Sequence, residues 1–322
     1  MRNGWTGGQY SVYRAIFGAY LAIHYFRLVA WGPELFSNEG LLPIPSLSPL
    51  SHLFPNVLTI WNSPLFVQAL MVVATCLSFL FAIGLWDRAA AGLLWYLGAC
   101  LLGRNPLIAN PALPYVGWLL LAHTFLAEAP YGSLMARIRG KSNAGWRMPP
   151  SVYLVAWIVM AIGYTYSGVM KMTSPSWCDG SALERILSNP LARPGNIRLW
   201  LLALPPALLK CATWTSLGLE IAFAPLAVFR RARPWIWSAM LCLHLGLLLL
   251  ISFPDLTAGM VLLHLFTLNP AWLRCGCRFE RILYPGFCTG RDANASVVLA
   301  TLIPIGERRG SLSRQTGTPL PD

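Results

Sequence analysis

One lysine stands in an apolar segment whose neighbours give it a polar helix face. Lys171 is the only charged residue between Ser151 and Ser174, in a run long enough to span a bilayer. Ser167 lies one helical turn before it and Tyr164 two turns before it, on the same face. Two interpretations stay open: a lysine whose ammonium extends to the lipid headgroups, or a general base in a partly dry pocket.

A second set of polar residues falls at one depth in three later apolar runs. Glu220, His244 and His264 each lie about nine residues from the cytoplasmic end of their run, or roughly 13 Å at 1.5 Å per residue. They form either a hydrogen-bonded structural layer or a proton-handling or metal-binding layer. The spacing is not that of a metal motif, and no metal is predicted. Counted this way, the layer lies more than about 10 Å from Lys171, so no direct contact is expected.

A third group lies at the extracytoplasmic ends of the early runs. Arg104 and Asn105 precede a proline, which predicts a helix end. Arg104 then lies at the headgroups, or it lines an external pocket for an anion together with Asn105. His24 and Arg27, one turn apart, line the same pocket or extend to the headgroups. Lys210 is at a depth that reaches the neighbourhood of Lys171.

The composition requires lipid as the main solvent. The 322 residues are 56% hydrophobic and 11% charged, against roughly 25% charged in soluble domains. We predict an all-α, polytopic transmembrane helix bundle of about eight spans, or six or seven if the third and fourth form a broken hairpin. The apolar runs are 10–31, 65–85, 89–108, 113–127, 151–172, 205–229, 235–252 and 256–273. A multi-pass protein of the cell membrane, with the lipid bilayer as its partner, is therefore expected.

The basic residues set the orientation. The net charge is +12, but the basic residues lie in short runs between apolar segments, which is typical of membrane loops and not of nucleic-acid binding. Segment 32–64 has no Lys or Arg, and the positive-inside rule places both termini in the cytoplasm. Segments 32–64 and 173–204 are predicted to be functional external loops. Residues 1–273 form the membrane domain, and 274–322 form a short, basic, largely disordered cytoplasmic tail.

The residues around the lysine resemble a known signature. The stretch Tyr166-Ser-Gly-Val-Met-Lys171, followed by Trp177-Cys-Asp-Gly180, is similar to that of the horizontally transferred transmembrane (HTTM) domain family, which includes the vitamin K-dependent gamma-carboxylases. The resemblance covers about residues 10–273. It implies that Lys171 is the catalytic base that deprotonates a lipid quinol, reduced menaquinone or vitamin K hydroquinone, on the extracytoplasmic side. The substrate-binding residues are then Tyr164, Ser167, Trp177, Arg104 and Asn105.

The same comparison leaves an alternative open. Carboxylases carry a paired lysine where this chain has Met170, and a large C-terminal region that binds the substrate where this chain has a short tail. The alternative is a non-enzymatic accessory, immunity-like or lipid-handling membrane protein. It would act through its external loops on an extracytoplasmic protein or peptide.

Overall fold

Every predicted apolar run contains a helix. The computed structural model describes residues 4–51, 53–108, 110–127, 132–140 and 145–272. Within those residues the helices are α1 (Gly7–Phe36), α2 (Val57–Ile60), α3 (Pro64–Ile83), α4 (Asp87–Arg104), α5 (Leu113–Thr124), α6 (Leu134–Ile138), α7 (Pro150–Lys171), α8 (Pro175–Cys178), α9 (Ala182–Ser188), α10 (Asn196–Leu202), α11 (Pro206–Val228), α12 (Arg233–Leu250) and α13 (Pro254–Thr267). The described residues form no β-strand, so the predicted all-α class is confirmed there.

Local sequence sets where these helices begin. Thr6 caps α1 through a capping box with Gln9. Prolines stand in the first turn of α3, α5, α7, α11, α12 and α13, where the missing N–H has no helical partner to lose. Helix α1 runs further than predicted, through Pro33 to Phe36.

Five helices in the described part of the chain are long and apolar enough to cross a membrane: α1, α3, α7, α11 and α12. Helix α5 has 12 residues and α13 has 14, which is short of the roughly 20 needed to cross the hydrocarbon core. Helix α4 has 18 residues but carries Asp87, Arg88 and Arg104 at its ends. By length and composition, these five candidate spans are compatible with a multi-pass membrane protein.

The helices pack in pairs around α13. Helix α1 lies along α3, α7 lies along α11, and α4 lies between α3 and α5. Helix α13 contacts α1, α5, α7 and α12, and its Leu263, His264 and Thr267 are fully buried. All these helices belong to one compact unit, Met1–Ala271. The predicted tail, 274–322, lies outside the described residues.

Both segments predicted as external loops are ordered against the helix ends. Segment 32–64 contains α2, and its Asn56 side chain donates a hydrogen bond to the Cys100 carbonyl at 2.9 Å. Ser48 in the same segment donates to the Gly103 carbonyl at 2.6 Å. Segment 173–204 contains α8, α9 and α10, of which α8 and α9 pack on α11. These segments therefore cover the ends of α4 and α11.

Candidate functional site

Helices α7 and α11 approach closely where they carry charged residues. Gly168 has no room for a side chain, because a Cβ there would lie 2.8 Å from Ile221 Cγ1 and 2.9 Å from Ile221 N. One turn earlier, the Thr165 hydroxyl accepts a hydrogen bond from the Ala224 backbone N–H at 3.0 Å. This close contact brings Lys171, one turn after Gly168, directly against α11.

Lys171 forms an ion pair across this contact. Its Nζ lies 2.5 Å from Oε1 of Glu220 and 4.5 Å from the centroid of the Trp177 ring, a cation–π distance. The Lys171 side chain is 27% exposed and that of Glu220 is 8% exposed. The ammonium is therefore held by a carboxylate and an aromatic face and does not extend freely to the headgroups.

The prediction that Lys171 and Glu220 do not touch is wrong. It counted depth from the ends of the apolar runs and so assumed that the helix ends are level. Helix α11 begins at Pro206, so about 20 Å of helix precedes Glu220. That part of α11 packs against α8 and α9, the elements that follow α7.

The turn after α8 closes on α11 and positions the aromatic ring. Gly180 has φ +82°, in the left-handed region that glycine adopts without strain. A Cβ there would lie 2.9 Å from Lys210 Cβ and 3.0 Å from Trp214 Cε2. Trp214 Nε1 donates a hydrogen bond to the Cys178 carbonyl at 3.2 Å. These contacts hold Trp177 over the lysine and place Lys210 beside Gly180.

Asp179 lies in this turn, and its side chain is exposed. Its Oδ1 accepts a hydrogen bond from the Ser181 backbone N–H at 2.8 Å. Hydrogen bonds from the Ser181 side chain and backbone hold the pKa of the Asp179 carboxyl below its ordinary value. This acid is therefore charged at neutral pH and stays outside the cavity described next.

Of the three residues predicted to form one polar layer, His244 and His264 lie in contact, whereas Glu220 pairs with Lys171. The ring centroids of His244 and His264 are 5.8 Å apart. His264 Nδ1 lies 2.9 Å from the Met260 carbonyl, which only accepts, so that nitrogen carries the proton. The Tyr164 hydroxyl is 3.4 Å from the same nitrogen. Within the described chain, Glu220 Oε2, both His244 nitrogens and His264 Nε2 are buried without a hydrogen-bond partner.

A cavity of about 520 Å³ opens beside the ion pair. Its polar lining includes Tyr164, Ser167, Lys171, Trp177, Glu220 and His244. The rest of the wall is mainly leucine, isoleucine and alanine. Such a cavity has the size and apolar lining of a small-molecule site with a few polar groups. In the described residues no group of three or more His, Cys, Asp or Glu is arranged to hold a metal.

Arg104 and Asn105 lie away from this cavity. Arg104 is 1% exposed, and its Nη2 donates hydrogen bonds to the Ser37 and Pro43 carbonyls at 3.0 and 3.3 Å. Asn105 Nδ2 donates to the Leu35 carbonyl at 2.9 Å. The expectation that Arg104 and Asn105 line one pocket with the lysine is wrong, because neither lines this cavity and both donate instead to carbonyls at the end of α1 and in the segment after it.

A buried charged network that was not predicted from the sequence lies near the starts of α1 and α4 and the end of α5. Arg14 Nη1 lies 3.6 Å from Asp87 Oδ2, and His123 Nε2 lies 3.3 Å from the same oxygen. The Tyr10 hydroxyl hydrogen-bonds His123 Nδ1, and Arg14 Nη2 donates to the Gly132 carbonyl at 3.0 Å. The available signal was Arg14 inside the first apolar run and Asp87 just before the third. The network joins α1, α4 and α5, and removal of one partner would leave a buried charge unpaired.

The fold and the site define a class: a polytopic helical membrane protein with a paired lysine and glutamate in an apolar cavity. Comparison with known proteins adds no narrower identity. The chain matches no protein-family model, no curated protein and no solved structure. The similarity of its lysine-tryptophan-glycine stretch to the HTTM signature therefore rests on the residues themselves and stays a prediction.

Proposed function

We propose that this protein is an integral membrane enzyme that deprotonates a lipid quinol, with Lys171 as the base. The observation that carries the proposal is the Lys171–Glu220 ion pair, 2.5 Å long, in the wall of a largely apolar cavity of about 520 Å³. An apolar ring system can pack against such a wall, and a phenolic hydroxyl can hydrogen-bond the ion pair. Reduced menaquinone and vitamin K hydroquinone are quinols of this kind.

The step that we propose needs both members of the pair. The Lys171 ammonium passes a proton to Glu220, and the freed amine takes the proton of the quinol hydroxyl. At the end the proton balance is one quinolate anion, one ammonium and one neutral glutamic acid. The ammonium then stabilises the quinolate, since opposite charges interact strongly in a site with few water molecules. The contact supports this role, because Oε1 of Glu220 already accepts a hydrogen bond from the Lys171 ammonium.

The proposal includes an arrangement in the membrane. All eight apolar runs cross the cell membrane, with α5 and α13 as short spans beside longer neighbours and both termini in the cytoplasm. Support comes from the helix found in each run and from the basic residues concentrated in alternate intervals. The cavity then faces the extracytoplasmic half of the bilayer, where a lipid quinol is available.

Membership of the HTTM domain family is part of the same proposal. Its motif residues each contribute to the site: Gly168 admits α11, Trp177 covers the lysine, and Gly180 closes the turn. Membership of this family implies that the quinolate reacts with dioxygen to give the quinone epoxide and hydroxide, and the proton held by Glu220 converts the hydroxide to water. The paired lysine of the carboxylases is replaced by Met170, so protein carboxylation is not part of the proposal.

The test is epoxide formation from reduced menaquinone by the purified protein in nanodiscs under air, measured by mass spectrometry. Unassisted oxidation yields the quinone, so the epoxide is a specific product. Lys171→Ala and Glu220→Gln are expected to lower the rate roughly 100-fold or more, as loss of a general base does. Lys171→Arg keeps the charge but cannot release its proton, so it is also expected to be inactive.

Lys210→Ala is the matched control, since it removes a nearby lysine that packs beside Gly180 and leaves the ion pair intact. Its rate should equal that of the unchanged protein. Wild-type protein that is folded but forms no epoxide would overturn the quinol proposal. Activity that survives in Lys171→Arg would instead remove the lysine from the role of base.

A further inference from the structure

We propose that a second cavity, between α1, α4, α5 and α13, binds a lipophilic alcohol through the Asp255 carboxylate. The cavity has a volume of about 440 Å³, which is within the usual range for small-molecule sites. Neither Lys171 nor Glu220 is among its lining residues in the described chain. The inference therefore goes beyond the proposed quinol chemistry and does not depend on it.

Among the described lining residues, the strongest acceptor at the polar end of this cavity is the Asp255 carboxylate, and it has spare capacity. Asp255 Oδ2 lies 3.3 Å from His24 Nδ1, and their side chains are 22% and 13% exposed. An ionised carboxylate accepts about four hydrogen bonds, and His24 accounts for at most one. The lining amides of Asn105 and Asn110 already bond backbone groups. A hydroxyl group that enters the cavity would therefore donate to Asp255.

The remaining wall suits an apolar body. Leu28, Leu94 and Leu101 line it, and no charged side chain other than Asp255 and His24 is among its described lining residues. His24 already pairs with the carboxylate, so a ligand ammonium would bring the cost of leaving water without an unpaired anion to offset it. A neutral hydroxyl is therefore favoured as the ligand's polar group. The ligand class is thus an alcohol with a long or ring-shaped apolar part.

The cavity reaches the surface within the length of α4. Trp95 lines the cavity and is 40% exposed, and it stands in the middle of Asp87–Arg104. In the membrane arrangement proposed above, α4 crosses the bilayer, so lipid surrounds it at that height. A lipophile can therefore enter sideways from the bilayer and place its hydroxyl at Asp255.

A tight helix contact separates this cavity from that of Lys171. A Cβ on Gly259 of α13 would lie 2.8 Å from Ala112 Cβ and 3.0 Å from Val116 Cγ2 on α5. Ala112 lines the Lys171 cavity and Val116 lines the second one. The two cavities are therefore separate compartments that can hold different ligands.

The experiment uses a long-chain alcohol with a diazirine in its alkyl chain, and its methyl ether as the matched probe that cannot donate a hydrogen bond. The protein in nanodiscs is irradiated with each probe, and labelled peptides are mapped by mass spectrometry. We expect the alcohol to label peptides of α4 and α5, and the ether to label them about tenfold less, the loss of one hydrogen bond to a charged group. Asp255→Asn should reduce alcohol labelling by a similar factor.

A second variant keeps the test decisive if Asp255→Asn folds poorly. Gly117 lines the cavity, and a Cβ there meets Trp95 Cδ1 at 3.7 Å, an ordinary contact. Gly117→Leu should fill the space and abolish labelling, whereas Gly218→Leu, whose Cβ meets nothing within 4 Å, should not change it. Lys171→Met should label normally, which separates this site from the quinol proposal. Equal labelling by alcohol and ether, or labelling that Gly117→Leu leaves intact, would overturn the inference.

Discussion

The substitution Gly168→Ala tests the contact on which the candidate site depends. The new Cβ would lie 2.8 Å from Ile221 Cγ1, 2.9 Å from Ile221 N and 3.0 Å from Glu220 Cβ. A backbone nitrogen cannot rotate away, so α7 and α11 must separate by about 0.6 Å to reach ordinary contact distances. Overpacking of this kind costs about 1–3 kcal/mol. The same separation stretches the ion pair between Lys171 and Glu220.

The control is Gly218→Ala on α11, where a Cβ meets nothing within 4 Å. Both substitutions gain the same helix propensity, about 1 kcal/mol, so their difference reports the steric cost alone. Thermal unfolding in one detergent should give Gly168→Ala a midpoint roughly 1.5–4.5 °C below that of Gly218→Ala. Equal midpoints would mean that α7 and α11 are not in the close contact described, and the geometry of the site would have to be rejected.

Three further predictions address the charged groups and the orientation. Lys171→Met leaves Glu220 buried without its ion-pair partner and should lower the unfolding free energy by about 3 kcal/mol. The double variant Lys171→Met with Glu220→Leu should recover most of that loss. Equal losses in the single and the double variant would show that the two residues are not coupled. Asp87→Asn should also cost about 3 kcal/mol, since it breaks a buried network, while the exposed Asp179→Asn should leave the unfolding midpoint unchanged. In intact cells a membrane-impermeant maleimide should label the peptide that contains Cys178, which is exposed, and mass spectrometry should find that peptide unlabelled in Cys178→Ser. Labelling of this peptide that requires cell lysis would reverse the proposed orientation.

The helices were predictable because their signal is local. Apolar length, prolines in the first turns and polar connections each act over a few residues, and every predicted run contains a helix. The polar face of Tyr164, Ser167 and Lys171 follows from helical spacing alone, and the structure brings all three to one cavity.

The partner of the lysine was not predictable, because it depends on how helices are offset along their axes. Counting residues from the ends of the apolar runs placed Lys171 and Glu220 at different depths. In the structure α11 extends past the end of α7 and packs there against α8 and α9. Arg104 shows the same limit. Its acceptors are the Ser37 and Pro43 carbonyls of a returning segment, and no local pattern in the sequence indicates that return.

The motif around the lysine has two separable parts, one of packing and one of chemistry. Gly168 and Gly180 are explained by contact with α11 alone, so their spacing would be needed even in a protein with no catalytic role. The ion pair by itself also fits a structural role, since a buried charge needs a partner. What packing does not explain is the position of this pair in the wall of a largely apolar cavity of ligand size. That position is the reason to assign chemistry to this site.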